Sequence, residues 1–257
     1  MNRINQLFER KKSDILSVYF TAGYPNLNDT LPVLEALQNN GVDMVEIGIP
    51  FSDPMADGPV IQESSSRALR NGMTLQLLFG QLKEAREKIT IPLVLMGYLN
   101  PVMQFGFEAF CRRCAETGID GVIIPDLPFR DYVENYKPIA DRYNVKVIML
   151  ITPETTNERV KLIDEHTGGF IYMVSSAATT GAQQSFSNEQ QAYFKRVQEL
   201  KLKNPPMIGF GISNKATFDA ARQYAAGAIV GSKFISLLAE SQNIDTAASR
   251  LIATLKG

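Results

Sequence analysis

Eight short apolar runs rich in Val and Ile recur along the 257 residues, and longer stretches with helical periodicity separate them. Apolar runs of this length are typical of parallel strands buried on both faces, and their alternation with helices indicates βα units. Strands are predicted over residues 16–20, 44–49, 93–97, 121–125, 146–151, 170–174, 207–210 and 228–231. Helices are predicted over residues 28–39, 60–71, 74–88, 104–117, 130–142, 157–166, 188–201, 214–225, 233–239 and 243–255.

Eight such units predict an α/β fold, a closed (β/α)8 TIM barrel with extra helices. The length fits, because barrels of this kind need about 250 residues. No Pro/Gly/Ser-rich linker or change of composition divides the sequence, so residues 1–257 are predicted to form a single domain. A doubly wound open sheet is the alternative fold.

Charge and hydropathy limit the classes of partner. The net charge is −1 with no basic block, so nucleic acid is not an expected partner. No apolar stretch approaches the roughly 20 residues that span a bilayer, so no membrane segment is expected. The first residues, MNRINQLFERKK, interleave acidic and basic residues and do not resemble a secretory signal. The cytoplasm is therefore the expected location.

A C-x-x-C pair, Cys111 and Cys114, raises the question of a zinc or redox site. A zinc site needs about four ligands, and the single histidine, His166, is distant in sequence. The surrounding segment FEAFCRRCAETG has the pattern of the middle of an amphipathic helix, whereas redox pairs usually open a helix after a strand. We therefore expect two structural thiols on one helix turn and no metal.

In a barrel the functional residues gather at the carboxyl ends of the strands. In the second strand, Val45 and Ile47 share one face, and Met44, Glu46 and Gly48 share the other. If the first pair packs against helices, Glu46 points into the barrel near its top. A buried carboxylate is costly, so Glu46 is either catalytic or satisfied by interior hydrogen bonds.

The loop after this strand, PFSDPMADGP, carries two further carboxylates. Asp57 directly precedes Gly58 and Pro59, a pattern that fits either a catalytic residue or an ordinary helix entry. Asp53, within Ser-Asp-Pro, has the same two interpretations.

Glycine turns follow the last two strands, in GFGIS (209–213) and VGSK (230–233). Glycines let backbone N–H groups approach an anion, and a helix N-terminus adds a favourable dipole. In barrels this position is a frequent phosphate site, although the glycines could serve tight turns alone. Thr180 and Gly181 add a similar turn after strand six.

The positions of the lysines argue against Schiff-base catalysis, and the lack of nucleotide-binding motifs argues against a bound nucleotide. Lys146 begins strand five and Lys233 lies beyond the last glycine turn, so neither is placed as a strand-end Schiff-base lysine. The sequence contains neither a Rossmann fingerprint nor a P-loop, so a bound nucleotide is not expected. Carbon–carbon cleavage on this scaffold would therefore depend on carboxylates.

The string PFSDPMADGP, following Glu-Ile-Gly, resembles the signature of the tryptophan synthase α chain family. The resemblance covers most of the chain, through FTAGYP, MGYLNP, PDLP, IYMVSSAATTGA, GFGIS and VGS. It implies a TIM barrel that cleaves indole-3-glycerol phosphate to indole and glyceraldehyde 3-phosphate. The catalytic residues of the family fall on Glu46 and Asp57.

The resemblance also implies binding residues and a partner. Substrate contacts fall on Tyr19, Ile61, Tyr98, Tyr172, Thr180 and Phe210, and phosphate contacts on Gly181, Gly211, Gly231 and Ser232. The partner is the tryptophan synthase β subunit, in an α2β2 complex whose contacts with this chain fall on Asp53, Pro54, Asn100 and Pro101. Pyridoxal phosphate belongs to that partner, and no cofactor is expected here. Family members often carry Arg and Gly where this chain has Ser176 and Ala178.

Two other functions are alternatives to this one. The first is another phosphate-handling barrel, such as indole-glycerol-phosphate synthase or phosphoribosylanthranilate isomerase, which would lack the Glu46–Asp57 motif. The synthase would also require a lysine at the end of a strand. A non-catalytic barrel that binds and activates a partner subunit would have no need of the two carboxylates.

Overall fold

The computed structural model describes residues 1–175 and 185–257, and within them one sheet contains nine parallel strands. Their order across the sheet is β5-β4-β3-β2-β1-β9-β8-β7-β6. The strands are β1 (Ile15–Thr21), β2 (Met44–Gly48), β3 (Leu93–Met96), β4 (Gly121–Ile123), β5 (Lys146–Ile148), β6 (Leu150–Ile151), β7 (Ile171–Val174), β8 (Pro206–Gly209) and β9 (Gly227–Val230).

One stretch of chain closes this sheet into a barrel. Strands β5 and β6 are consecutive and are separated only by Met149. β5 pairs with β4, whereas β6 pairs with β7, and Tyr172 N donates a hydrogen bond of 3.1 Å to the Met149 carbonyl oxygen. The stretch predicted as one strand, 146–151, therefore joins the two ends of the sheet. The eight-stranded barrel is confirmed, and the open sheet is wrong.

Helices cover the outside of the barrel. They are α1 (Arg3–Arg10), α2 (Thr30–Asn39), α3 (Pro59–Arg70), α4 (Leu75–Leu82), α5 (Leu99–Phe105), α6 (Phe107–Glu116), α7 (Phe129–Asp131), α8 (Lys137–Arg142), α9 (Asn157–His166), α10 (Asn188–Glu199), α11 (Lys215–Tyr224), α12 (Ser232–Glu240) and α13 (Ile244–Lys256). The helix predicted over 104–117 is in fact two, because Gly106 at a φ of +87° separates α5 from α6. A π-helical turn over 132–136 likewise interrupts the helix predicted over 130–142.

Helix α1 was not predicted, and it covers the amino end of the barrel. Asn2 caps it by accepting a 2.9 Å hydrogen bond from Ile4 N, and its side chain donates to the Asp120 and Asn144 carbonyls, which precede β4 and β5. Ile4 and Leu7 pack into the barrel interior. Only eight residues long, α1 has too few apolar positions for its period to stand out. It leaves the carboxyl end as the open mouth.

The strands divide the core into two layers, as the alternation in β2 predicts. Val45 and Ile47 pack outward against the helices, whereas Met44 belongs to the interior cluster. Cys111 and Cys114 are free thiols buried in the outer layer on α6, and burial raises the pKa of Cys111 to about 12. A thiol with a raised pKa forms little thiolate, so these cysteines have a packing role.

Neither a metal centre nor a membrane span is found in the described part of the chain. Over residues 1–175 and 185–257, no three His, Cys, Asp or Glu side chains are grouped so that they could hold a metal ion. Every helix in these ranges is too short or too polar to cross a bilayer.

Candidate active site

Glu46 lies on the inner face of β2 and is 0% exposed. Ser17 Oγ donates a hydrogen bond of 3.0 Å to its Oε1, and Oε2 has no hydrogen-bond partner among the described residues. Burial raises the pKa of Glu46 to about 8, and the bond from Ser17 opposes the rise. At neutral pH the carboxyl group is therefore mostly protonated.

The Glu46 carboxyl group points away from the barrel mouth. In the parallel register of β1 and β2, Glu46 is level with Tyr19, whereas Ser17 is level with Met44. The carboxyl thus reaches one layer toward the amino end of the barrel.

Two tyrosine rings on the inner face of the barrel each lie against a glycine of the neighbouring strand. A Cβ at Gly48 would overlap the Tyr19 hydroxyl, and a Cβ at Gly209 would overlap the Tyr172 hydroxyl, so each ring needs the glycine beneath it. Burial raises the pKa of both tyrosines, and the negative charges of Glu46 and Asp57 raise both further. Both carboxyl groups therefore lie near the two hydroxyls.

Asp57 is held from the neighbouring loop. Tyr98 Oη donates a 3.0 Å hydrogen bond to Asp57 Oδ2 and accepts one of 2.9 Å from Ala56 N. Partial burial raises the pKa of Asp57 to about 6, against the lowering effect of the Tyr98 bond. Helix α3 begins after Gly58 without a side-chain cap, so Asp57 does not serve as the helix-entry residue.

A pocket opens at the carboxyl end of the barrel. Eight residues predicted from the sequence lie on its wall: Tyr19, Asp57, Ile61, Tyr172, Phe210, Gly211, Gly231 and Ser232. Glu46 is beneath this wall and does not line it. Tyr98 lines an adjoining small cavity together with Tyr19 and Asp57. Thr180 and Gly181, like Ser176 and Ala178, lie outside the described residues.

One end of the pocket is suited to an anion. Helix α12 begins at Ser232, after Gly231, and no side chain caps its first amides. Uncapped amides at a helix N-terminus attract negative charge. Lys233 and Ser213 also line this end. Both belong to the two glycine turns noted in the sequence, but neither was predicted as a site residue. The available signal for Lys233 was its place in the first turn of a helix that follows a glycine.

The predicted partner residues lie near the mouth, Asp53 and Pro54 in the loop after β2 and Asn100 and Pro101 in the first turn of α5, next to the loop after β3. Asp53 and Asn100 are exposed, and Pro54 and Pro101 are partly buried. The Phe51 and Tyr98 rings, 5.3 Å apart, join the two loops. Two methionines missed by the sequence analysis are exposed beside these positions, Met55 by 88% and Met103 by 44%.

A barrel with two carboxyl groups on and beneath the wall of its pocket and a helix end suited to an anion is typical of enzymes that act on phosphorylated substrates. Within that class, the family model for the tryptophan synthase alpha chain matches residues 5–256. The chain belongs to the tryptophan synthase alpha chain family, as the resemblance predicted. It is a carbon–carbon lyase that cleaves indole-3-glycerol phosphate to indole and glyceraldehyde 3-phosphate.

Individual relatives agree with this assignment. The alpha chain from Parabacteroides distasonis is 64% identical over 256 residues, covering 100% of both chains. The alpha chain from Flavobacterium johnsoniae is 58% identical over 94% of this chain and 95% of its own length. A solved structure of the alpha subunit from Legionella pneumophila superposes with a TM-score of 0.90 at 33% identity, covering 99% of this chain and 97% of that one.

Proposed function

We propose that the chain cleaves indole-3-glycerol phosphate by acid–base catalysis divided between Glu46 and Asp57, with no metal or cofactor of its own. The observation that carries the proposal is the unequal burial of the two carboxyl groups: Glu46 is fully buried with one hydrogen bond from Ser17, and Asp57 is partly buried with one from Tyr98. Burial therefore raises the pKa of Glu46 to about 8 and that of Asp57 to about 6. Near pH 7 one group is mainly a proton donor and the other mainly an anion. Two carboxyls whose environments separate their pKa values are typical of an acid and an electrostatic partner.

The roles follow from the chemistry of the bond that breaks. Glu46 donates a proton to indole C3, which gives an indolenine cation whose charge reaches the ring nitrogen. Asp57 accepts a hydrogen bond from the ring N–H and stabilises that charge. The electrons of the C3–glycerol bond then return to the ring, the glycerol hydroxyl becomes the aldehyde, and its proton passes to the Glu46 carboxylate.

In this mechanism the Glu46 side chain must turn toward the pocket. Its carboxyl is hydrogen-bonded to Ser17, one layer below Tyr19, and does not line the wall. Only one hydrogen bond holds it, because Oε2 has no partner among the described residues. Rotation about the side-chain bonds therefore breaks a single hydrogen bond.

The pocket lining supports one orientation of the substrate. Tyr19, Ile61, Tyr172 and Phe210 offer an apolar and aromatic surface to the indole ring. The phosphate is placed at the opposite end, against the backbone amides of Gly211, Gly231 and Ser232, with Lys233 beside them. By the family resemblance, Thr180 and Gly181 complete the site.

We further propose that the chain works in the cytoplasm, in an α2β2 complex with the pyridoxal-phosphate β subunit. The proposed contact surface comprises the loop after β2 with Asp53 and Pro54, and the first turn of α5 with Asn100 and Pro101. The exposed Met55 and Met103 support it, because large exposed apolar side chains at a protein surface are typical of a contact site.

An indole assay on the purified chain tests the proposal. Indole is expected to form from indole-3-glycerol phosphate with the isolated chain, and faster once β subunit is added. Absence of indole in both mixtures would contradict the lyase mechanism and favour a barrel that only binds a partner. An equal rate in both mixtures would contradict the complex and leave a stand-alone lyase.

The two pKa values predict the pH dependence of kcat/KM. The free enzyme is active with Asp57 ionised and Glu46 protonated, so kcat/KM should rise through about pH 6 and fall through about pH 8. Tyr98→Phe removes the hydrogen bond that lowers the pKa of Asp57, so the acid limb should move to higher pH and the alkaline limb should stay. Rates measured across both limbs check this. A flat profile, or an unmoved acid limb in Tyr98→Phe, would exclude the assignment.

A further inference from the structure

Phe210 adopts a backbone conformation that is unusual for its side chain. Its φ is +67°, in the left-handed region that bulky residues rarely occupy. Its ring lines the pocket and meets Tyr172 edge to face, with the centroids 6.1 Å apart. A strained conformation persists only where surrounding contacts hold it, and such strain is concentrated at functional sites.

Ser175, directly after β7, supplies such a contact. It is 0% exposed, and its Oγ donates a 2.8 Å hydrogen bond to the Phe210 carbonyl oxygen. Its own backbone is held as well, since Ser175 N donates to the Gly209 carbonyl at 3.1 Å and Gln190 Nε2 donates to the Ser175 carbonyl at 3.1 Å. The hydroxyl thus projects from a fixed point.

The bond to Phe210 fixes more than one carbonyl group. The Phe210 C=O and the Gly211 N–H belong to one peptide unit, and in a trans peptide they point in opposite directions. Holding the carbonyl toward Ser175 therefore turns the Gly211 N–H the other way. Gly211 lines the pocket, and among the described residues its N–H has no hydrogen-bond acceptor.

We propose that Ser175 is a positioning residue that aims the Gly211 N–H at the substrate phosphate by holding the Phe210–Gly211 peptide in one orientation. The inference rests on the proposed function, which places the phosphate at this end of the pocket. Ser175 itself touches no part of the substrate in this arrangement. Ser175 affects phosphate binding only by fixing the orientation of the Phe210–Gly211 peptide.

Ser175→Ala tests the inference. The phosphate does not change during the reaction, so losing one of its hydrogen bonds weakens ground state and transition state alike. We expect KM for indole-3-glycerol phosphate and Kd for glycerol 3-phosphate to rise roughly tenfold, as for a lost hydrogen bond to a charged group, with kcat nearly unchanged. An unchanged KM and Kd, or a fall in kcat at unchanged KM, would overturn it.

A matched control separates positioning from loss of packing. Thr117 lies outside the barrel and is 3% exposed. Its Oγ1 donates a hydrogen bond of 2.8 Å to the Arg113 carbonyl oxygen. Thr117→Val therefore removes a comparable buried hydroxyl and should leave KM within about twofold of the unaltered chain. Ser175→Thr keeps a hydroxyl and should restore most of the affinity. Equal rises in KM in Thr117→Val and Ser175→Ala would overturn the inference.

A measurement on the unaltered chain covers the case in which Ser175→Ala does not fold. Adding glycerol 3-phosphate should move the Gly211 amide proton resonance downfield, as expected for a new bond to a charged acceptor. If the phosphate analogue binds without moving this resonance, the inference is wrong. If the unaltered chain binds no glycerol 3-phosphate and releases no indole, the proposed function itself fails.

Discussion

Glu46→Gln is expected to lower kcat for indole release by roughly 10²–10⁴-fold, the usual contribution of a general acid–base residue. The amide has nearly the shape of the protonated acid but cannot transfer a proton to indole C3 or receive one from the glycerol hydroxyl. Steady-state assays at neutral pH measure the effect. Cleavage near the unaltered rate would contradict the role given to Glu46.

The stability of the same variant distinguishes lost chemistry from lost structure. The pKa of Glu46 is raised to about 8 in the folded chain from an ordinary value of 4.5, so folding takes up a proton between these values. This contribution to stability is fully present below about pH 4.5 and is lost as the pH rises through about 8. The unfolding temperature of Glu46→Gln should not show this decrease, because glutamine does not titrate. The variant should therefore lose less stability at alkaline pH than the unaltered chain.

Glu63→Gln is the matched control for this substitution. Glu63 lies on α3, and its exposed carboxylate pairs only with the exposed Arg70, at 2.9 Å. Exposed ion pairs of this kind contribute little to stability. Rate and unfolding temperature should both stay close to those of the unaltered chain. A comparable loss of rate in Glu63→Gln would show that the Glu46 effect is not specific to the site.

Asp57→Asn should also slow cleavage, by about 10²-fold, at the lower end of the range expected for Glu46→Gln. The asparagine oxygen can still accept a hydrogen bond from the ring N–H, but it brings no negative charge to the indolenine cation. The acid limb of kcat/KM near pH 6 should disappear, because that limb is the titration of Asp57, while the limb near pH 8 remains.

The control for this variant is Asp141→Asn, an exposed carboxylate on α8 that pairs with Lys137. It should leave both limbs of the pH profile in place. A loss from Asp57→Asn that equals or exceeds the loss from Glu46→Gln would reverse the ranking of the two carboxyls. Persistence of the acid limb in Asp57→Asn would assign that limb to another group.

The parts of the fold predicted correctly are those encoded by local periodicity. The alternation in β2 placed Val45 and Ile47 outside and Glu46 inside, because side chains on a strand point to opposite faces whatever surrounds it. The predictions failed where the local signal was weak. Helix α1 is short, and the break at Gly106 depends on one residue inside an otherwise helical pattern.

The residues of the site likewise divide into those with a recognisable local pattern and those without one. The motif after β2, the two glycine turns and the family resemblance together were sufficient to predict eight of the residues on the pocket wall. Ser17 and Ser175 were missed, because a serine within or directly after a strand has no pattern that separates it from an ordinary core position. Their importance comes from what they touch, and their partners are distant in sequence.

The sequence by itself determined which side chains face the barrel interior, where the strands end and which family the chain resembles. Periodicity and motifs are local properties of the chain, so they can be recognised without knowing any tertiary contact. Only the tertiary structure decided that β5 and β6 close the sheet, that Glu46 is hydrogen-bonded to Ser17, and that Tyr98 holds Asp57. The pKa of a carboxyl depends on desolvation and on neighbouring groups, and both arise when distant segments pack together.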